Sequence, residues 1–151
     1  MKDDDIHEII KILRKKTRKW DVPIVTQTAE TSCDPFKVLI STVLSLRTQD
    51  KTTAKASSRL FELANNPCHM LKLSIKEIEK VIYPVGFYKT KARTILNLCS
   101  ELVIKYNSIV PDDLDELLKL KGVGRKTANL VVTLGHGKPG ICVDTHVHRI
   151  S

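Results

Sequence analysis

LKLKGVGRKTANLVV, residues 118–132, is the stretch from which the fold of this chain is predicted. It predicts a short helix, a turn with two glycines one residue apart, and a second helix that begins at once. Gly122 and Gly124 carry no Cβ, so they accept positive φ angles and allow another backbone to approach closely. The stretch therefore predicts two helices joined by a tight turn.

A turn of this kind is a candidate anion site. The first N–H groups of the second helix have no partner within that helix, and the positive end of the helix dipole lies beside them. A phosphate suits both features. Two glycines are equally compatible with a plain helix–helix turn, and the pattern by itself leaves both interpretations open.

Lys126 adds a reactive group to this turn. It lies in the first turn of the second helix, beside Arg125, where the helix dipole disfavours a cation. The dipole, the neighbouring charge and the partial burial that we expect would all make this amine easier to deprotonate, and a neutral amine is a nucleophile. A solvated lysine that helps to bind a phosphate is the alternative.

Four segments of the chain together resemble a known family. GVGRKTAN (residues 122–129) and VDTHVHR (residues 143–149) are similar to the helix-hairpin-helix signature of endonuclease III. That family comprises DNA glycosylases with abasic-site lyase activity. Upstream, LSLRTQD (residues 44–50) and YPVGFYKTKA (residues 83–92) resemble further family segments in the same order. The resemblance extends over nearly the whole chain.

The resemblance implies a catalytic pair. Lys126 stands where the family has the amine that attacks C1′ of a flipped nucleotide, expels the base and forms a Schiff base, before β-elimination breaks the strand. Asp144 stands where the family has a carboxylate that stabilises positive charge on the sugar or assists proton transfer. Its place in the sequence also predicts that Asp144 caps the last helix.

The resemblance implies that the hairpin contacts a DNA phosphate without reading the base sequence. The residues expected there are Gly122, Val123, Gly124 and Arg125.

Two further segments are implied to touch the bases. Arg47, Thr48 and Gln49 would enter the gap left by a flipped base, with Arg47 at a position where the family often has glutamine. Phe87 would act as a wedge in the base stack. Without the resemblance, residues 47–49 are interpreted as a surface loop and Phe87 as a core residue, which is the commoner place for phenylalanine.

The implied partner is double-stranded DNA with a damaged base or an abasic site, and the implied process is base excision repair of oxidised pyrimidines. A glycosylase for mismatched or purine bases is one alternative. Lys126 argues against the monofunctional adenine-type members of the family, because they lack this lysine. A hairpin module or impaired fragment that binds DNA without cutting it is another. Asp144 favours an enzyme, because a pure binding module does not need it.

The charge balance agrees with a polyanionic partner. The chain has 25 Lys and Arg residues against 17 Asp and Glu, and its pI is about 9.4. A basic balance also serves solubility, so it does not prove nucleic-acid binding. We find no signal peptide and no apolar run of membrane-spanning length, and we therefore predict an intracellular protein without a membrane partner.

The cysteines predict no metal centre in the chain as given. Cys33, Cys68, Cys99 and Cys142 are widely spaced and are interpreted as reduced thiols. The resembled family often carries a [4Fe–4S] cluster on four C-terminal cysteines, and no such motif occurs here. We expect a fragment or a natural truncation, and both remain open. His146 and His148 lie two positions apart on a predicted helix and make a poor metal pair.

Helical periodicity without a competing strand pattern predicts an all-α fold, which the resemblance identifies as the helix-hairpin-helix glycosylase fold, truncated at its C-terminus. We expect an N-terminal helix (residues 1–20) that belongs to an incomplete second domain, and a helical domain (residues 21–135) with the hairpin at about residues 112–134. Residues 136–151 would form a loop with Asp144 and the start of a truncated helix. Residues 21–33 are interpreted as a connector. A monomer is expected, with self-association where the first helix exposes its apolar side.

Overall fold

The computed structural model describes residues 3–143 and 145–150. Its regular structure is helical throughout that part of the chain, so the predicted all-α fold is confirmed. None of the described helices is long and apolar enough to cross a lipid bilayer. The helices are α1 (Asp3–Thr17), α2 (Ile24–Ser32), α3 (Pro35–Ser45), α4 (Asp50–Leu63), α5 (Pro67–Met70), α6 (Ile75–Ile82), α7 (Tyr88–Tyr106), α8 (Leu114–Lys119), α9 (Arg125–Leu130) and α10 (Thr145–Ile150).

The sequence predicts three helix starts: Asp34-Pro35 and Asn66-Pro67 each indicate a cap followed by proline at the first helical position, and residues 74–77 have the capping-box pattern. Asp34 caps α3, and its carboxylate accepts a hydrogen bond from the Phe36 N–H at 2.9 Å. Asn66 caps α5 in the same way. At the start of α6, the Glu77 N–H donates to the Ser74 hydroxyl at 3.2 Å and the Ser74 N–H donates to the Glu77 carboxylate at 2.7 Å. This reciprocal pair is the predicted capping box.

Helix α3 lies at the centre of the fold. It packs against α2, α4, α7 and α9. Eight of its eleven residues are buried, as is usual for a helix enclosed on all sides. The largest fully buried side chains of the core are Leu39, Ile40, Leu44, Leu60, Met70, Ile78, Ile82, Ile95, Leu98, Leu102, Leu117 and Leu120.

The predicted connector at residues 21–33 is wrong, because Ile24–Ser32 forms helix α2. Its buried face consists only of Val25 and Ala29, which is too short a pattern to stand out in the sequence. The hydroxyls of Thr28 and Ser32 donate to carbonyls four residues earlier, at 2.9 and 2.8 Å, so these side chains satisfy their polar groups within the helix. Packing against α3 stabilises a helix that local propensity does not favour.

The sequence also offers Asp50 as the predicted cap of α4, and this prediction is wrong as well. Gln49 holds the cap position, and Asp50 is the first residue of the helix. The Asp50 carboxylate instead accepts a hydrogen bond from the Ile24 N–H at 3.3 Å. It therefore satisfies one of the unpaired donors at the start of α2, a role that only the packing of the two helices creates.

The second helix of the hairpin changes its winding after Leu130. Residues Val131–Gly135 form a π-helical turn, in which the His136 N–H donates to the Val131 carbonyl at 3.1 Å. The sequence predicts that Gly135 closes this helix, and in the structure Gly135 ends the turn against the start of α3. A Cβ at Gly135 would lie 3.0 Å from the Cα of Pro35, so a glycine allows the turn to pack closely there.

The apolar side of α1 is exposed. Ile6, Ile9, Ile10 and Leu13 have exposed fractions between 38% and 53%. The predicted division into residues 1–20, 21–135 and 136–151 stays a prediction, as does the expected self-association.

Candidate nucleic-acid interface and active site

The hairpin is formed by α8, the turn at residues 120–124, and α9. Asp113 caps α8, and its carboxylate accepts a hydrogen bond from the Glu116 N–H at 3.0 Å. Within the turn, the Val123 N–H donates to the Leu120 carbonyl at 3.1 Å, and the Val123 side chain is buried. The Val123 N–H, one of the predicted phosphate donors, is thus used inside the turn, and its side chain anchors the turn to the core.

The two glycines of the turn differ in their surroundings. Gly122 has a φ of +93°, and a Cβ there would lie 2.7 Å from the Cγ2 methyl of Thr94. Gly124 has an ordinary φ of −93°, and a Cβ would meet nothing within 4 Å. Gly122 is therefore required by the fold, whereas Gly124 leaves its side of the turn open to another molecule.

Lys126 lies in the first turn of α9, with an exposed side chain. The partial burial expected from the sequence is therefore wrong. Cys142 contacts this part of α9, since its thiol lies 3.9 Å from the Lys126 carbonyl oxygen. Asp144, the predicted partner of Lys126, lies outside the described residues, so its catalytic and capping roles stay predictions.

Lys126 borders a cleft of about 490 Å³ that also includes both predicted base-contacting loops. The cleft joins α3, α7, α9 and the segments between them. Its lining residues are Val43, Leu46, Arg47, Phe87, Thr90, Lys91, Thr94, Gly122 and Lys126.

Arg47 and Phe87 meet at the mouth of this cleft. The guanidinium carbon of Arg47 lies 5.7 Å from the centre of the Phe87 ring, within the range of a cation–π contact. Phe87 is 62% exposed, so its alternative interpretation as a core residue is wrong. Both residues have positive φ angles, +52° and +57°, which are uncommon for residues other than glycine.

The remaining predicted contact residues have different surroundings. Thr48 is half-buried, and its hydroxyl accepts a hydrogen bond from the Gly86 N–H at 3.1 Å. Gln49 is exposed at the start of α4. Arg125 is exposed at the start of α9. Thr48 thus connects two loops within the protein, whereas Gln49 and Arg125 face solvent.

A model of the HhH-GPD superfamily of base excision DNA repair proteins matches residues 40–151. The chain belongs to the HhH-GPD superfamily. The resemblance to endonuclease III is confirmed by the relatives.

The chain is 53% identical over 118 residues to endonuclease III of Thermotoga maritima, a match that covers 78% of this chain and 55% of that protein. It therefore spans about half the length of this curated relative. A non-covalent endonuclease III–DNA complex matches with a TM-score of 0.82 and 39% identity, over 99% of this chain and 67% of that one. A trapped endonuclease III–DNA covalent intermediate matches with a TM-score of 0.81 and 38% identity, over 99% and 68%.

Lys91 lines the cleft, although its place in the sequence does not indicate a site residue. It is only 7% exposed, and burial lowers the pKa of its ammonium group from 10.5 to about 8. Its neighbours Lys89 and Arg93 are exposed, and the three resemble a solvated basic run. Helical phase was the available signal, because Lys91 lies four residues before the buried Ile95.

In the part of the chain that the structure describes, the four cysteines form no disulfide: Cys33 and Cys68 are exposed, Cys142 is half-buried and Cys99 is buried. Burial raises the pKa of the Cys99 thiol to about 12. Within residues 3–143 and 145–150, no three His, Cys, Asp or Glu residues come together in a way that could hold a metal ion. These positions do not fit a four-cysteine iron–sulfur cluster.

Proposed function

We propose that this chain carries the DNA-binding surface and the nucleophile of a base excision DNA glycosylase with abasic-site lyase activity. One observation carries the proposal: the amine-bearing Lys126 borders the same cleft as Arg47 and Phe87, in a chain that matches DNA-bound endonuclease III over 99% of its length. The positive balance of 25 basic against 17 acidic residues supports a polyanionic substrate.

In the proposed reaction, the unprotonated Nζ of Lys126 attacks C1′ of an extruded nucleotide. The bond from C1′ to the base nitrogen breaks, and the base leaves with its electron pair and takes a proton. The nitrogen lone pair then forms the C=N bond of a Schiff base as the sugar ring opens. Loss of a proton from C2′ and departure of the 3′ phosphate break the strand, and water finally releases Lys126.

The surrounding residues supply binding and charge. Asp144 is proposed to stabilise positive charge on the sugar or to accept a proton, as one carboxylate can do at different stages. Gly122, Gly124 and Arg125 are proposed to contact a backbone phosphate, with the open side of Gly124 as the point of approach. Such contacts position the duplex without reading its sequence.

Arg47 and Phe87 are proposed to take up the space left when a nucleotide is extruded. Phe87 supplies an apolar wedge, and the Arg47 guanidinium can both stack on bases and donate to their edges. Extrusion costs less for a damaged or mispaired base, so unstacking itself contributes to the choice of lesion. We propose oxidised pyrimidines in duplex DNA as the substrate, no cofactor in this chain, a monomer, and an intracellular location with the cell's DNA.

Borohydride trapping tests the nucleophile. The chain is incubated with a duplex that holds one abasic site, and borohydride is added to reduce any Schiff base to a stable covalent complex. We expect trapping with the wild-type chain and none with Lys126→Ala. Lys126→Arg is the matched control, because it keeps the positive charge for DNA binding but forms no Schiff base. Trapping that persists in both variants would rule out Lys126 as the nucleophile.

Base release on defined duplexes tests the lesion. Duplexes with an oxidised pyrimidine, an oxidised purine or a T·G mismatch are compared for release of the modified base. Release only from the mismatch would replace the oxidised-pyrimidine proposal with the mismatch alternative. Salt-dependent DNA binding without trapping or base release would leave a chain that binds DNA and does not cut it.

A further inference from the structure

Lys91 lies beneath the two loops at the mouth of the cleft. The first loop is residues 46–49, between α3 and α4, and the second loop is residues 83–87, between α6 and α7. Its Nζ donates hydrogen bonds to the Leu44 carbonyl at 2.8 Å, to the Leu46 carbonyl, and to the Thr48 hydroxyl at 3.1 Å. An ammonium group has three N–H donors, and these three acceptors match that number. The charge of Lys91 is thus directed into the end of α3 and the loop that follows it.

Thr48 extends this contact to the second loop. Its hydroxyl oxygen, which accepts from Lys91, also accepts from the Gly86 N–H at 3.1 Å. The two loops touch at this point, because a Cβ on Gly86 would lie 2.6 Å from the Arg47 carbonyl oxygen. Only a glycine allows this approach without displacement of backbone.

Arg59 holds the second loop from the other side. Its guanidinium, which projects from α4, donates to the Val81 carbonyl at 2.9 Å and to the Tyr83 carbonyl at 2.7 Å. Residues 83–87 are therefore fixed between α4 on one side and the Lys91–Thr48 contact on the other.

The residues at the tips of these loops have conformations that need such support. Arg47 and Phe87 have φ angles of +52° and +57°. Residues other than glycine keep such angles only where the surrounding structure holds them. Both side chains are exposed, and they contact each other at 5.7 Å. The cluster below them, Lys91, Thr48 and Gly86, is where that support lies.

We propose that Lys91 is a positioning residue that acts through Thr48 and Gly86 to hold Arg47 and Phe87 as one preformed unit for damaged DNA. The inference rests on the proposed function, because it assigns the unit to the gap left by a missing or extruded base. A unit held in its bound shape loses little conformational freedom on insertion, so more of the contact energy remains for binding. Lys91 thereby contributes to discrimination between damaged and intact DNA without touching DNA.

The contacts of Lys91 do not suit a direct role in the chemistry. Its three donors are directed to protein oxygens, and its side chain is 7% exposed. A second amine nucleophile would need an accessible Nζ. Lys126, by contrast, is exposed on the same cleft.

The test measures binding, so it does not depend on catalysis. Affinities are determined by fluorescence anisotropy for a duplex with a tetrahydrofuran abasic analogue and for the intact duplex, and their ratio is the discrimination. We expect Lys91→Met and Thr48→Val to lower this ratio about tenfold, the usual effect of losing a charged hydrogen bond. Thr48→Ser, which keeps the hydroxyl, should restore most of it. Lys105→Met removes an exposed lysine from the far end of α7 and is the control.

Thermal unfolding of each variant separates positioning from folding. Thr48→Val decides the question if Lys91→Met does not fold. Variants that melt earlier but keep the wild-type ratio would overturn the proposal, and so would a wild-type chain that binds both duplexes equally. If the wild type traps no Schiff base but discriminates through Lys91, the lyase function fails and the positioning role stands. If the wild type traps a Schiff base and the variants keep the wild-type discrimination, the lyase function stands and the positioning role fails.

Discussion

The Cγ2 methyl of Thr94 lies directly against Gly122, so that a Cβ on this glycine would approach it to 2.7 Å. The contact joins α7 to the turn of the hairpin. Because Gly122 also has a φ of +93°, both its conformation and its neighbour require a residue without a side chain.

Gly122→Ala should therefore destabilise the chain, whereas Gly124→Ala should not. We expect a loss of about 1–3 kcal/mol in the free energy of unfolding for Gly122→Ala, from backbone strain and the Thr94 clash. Gly124→Ala should stay within about 0.5 kcal/mol, as is usual for a surface change. Urea unfolding measures both. Thr94→Ser, which lacks the methyl, should reduce the cost at Gly122 but not abolish it; equal losses for the two glycines would contradict the assignment.

Two adjacent aspartates at the start of the hairpin should differ in their effects on stability. Asp113 caps α8, and its removal in Asp113→Ala should cost about 1 kcal/mol, since it leaves the Glu116 N–H without its partner. Asp112 instead forms an exposed ion pair with Lys138 at 2.8 Å, and Asp112→Ala should cost clearly less than Asp113→Ala, because solvent screens an exposed pair. Thermal unfolding at low and high salt checks this, because only the Asp112 effect should weaken with salt.

Lys91 should make stability rise with pH above about 8. Its pKa is lowered to about 8 in the folded chain by burial, against 10.5 when unfolded. Between these values the unfolded state binds more protons, so the free energy of unfolding increases with pH across this window; below it, the amine is charged in both states and contributes no slope.

The matched variant is Lys91→Met, which does not titrate. The free energy of unfolding of the wild type, minus that of the variant, should increase from pH 8 to pH 10 by at most about 3 kcal/mol. Denaturant unfolding at several pH values in this range measures the shift. A difference that stays flat, or that falls, would show that the Lys91 pKa is not lowered.

Phe87 should show a trade-off between stability and DNA discrimination. Its φ of +57° suits asparagine better than phenylalanine, and its side chain buries little. We expect the free energy of unfolding of Phe87→Asn to equal that of the wild type or to exceed it by up to about 1 kcal/mol, because relief of backbone strain offsets loss of the Arg47 contact. Its preference for abasic duplex should fall.

Phe87→Leu is the comparison at the same position. Leucine keeps an apolar side chain and the unfavourable φ, so it should retain most of the preference for abasic DNA without a gain in stability. A destabilised Phe87→Asn variant that binds abasic DNA as well as the wild type does would contradict the trade-off on both counts.

The helix starts and the hairpin were accessible from sequence because they depend on near neighbours. The Asp34 and Ser74 caps each need only residues two or three positions away, and both are present as predicted. The failures have the opposite cause. Helix α2 has a buried face of two residues, and Asp50 accepts a hydrogen bond from the Ile24 N–H 26 positions earlier, so both depend on how α2 packs.

The candidate site divides in the same way. The motif around Lys126, and the four segments that resemble endonuclease III, are properties of residue order, so the sequence by itself determined the family and the expected chemistry. It could not show that Phe87 is exposed against Arg47, that Lys91 is buried while Lys89 is not, or that Gly122 is indispensable and Gly124 is not. Only the tertiary structure decided these points, because burial and contact between distant residues arise from helix packing, which no local pattern contains.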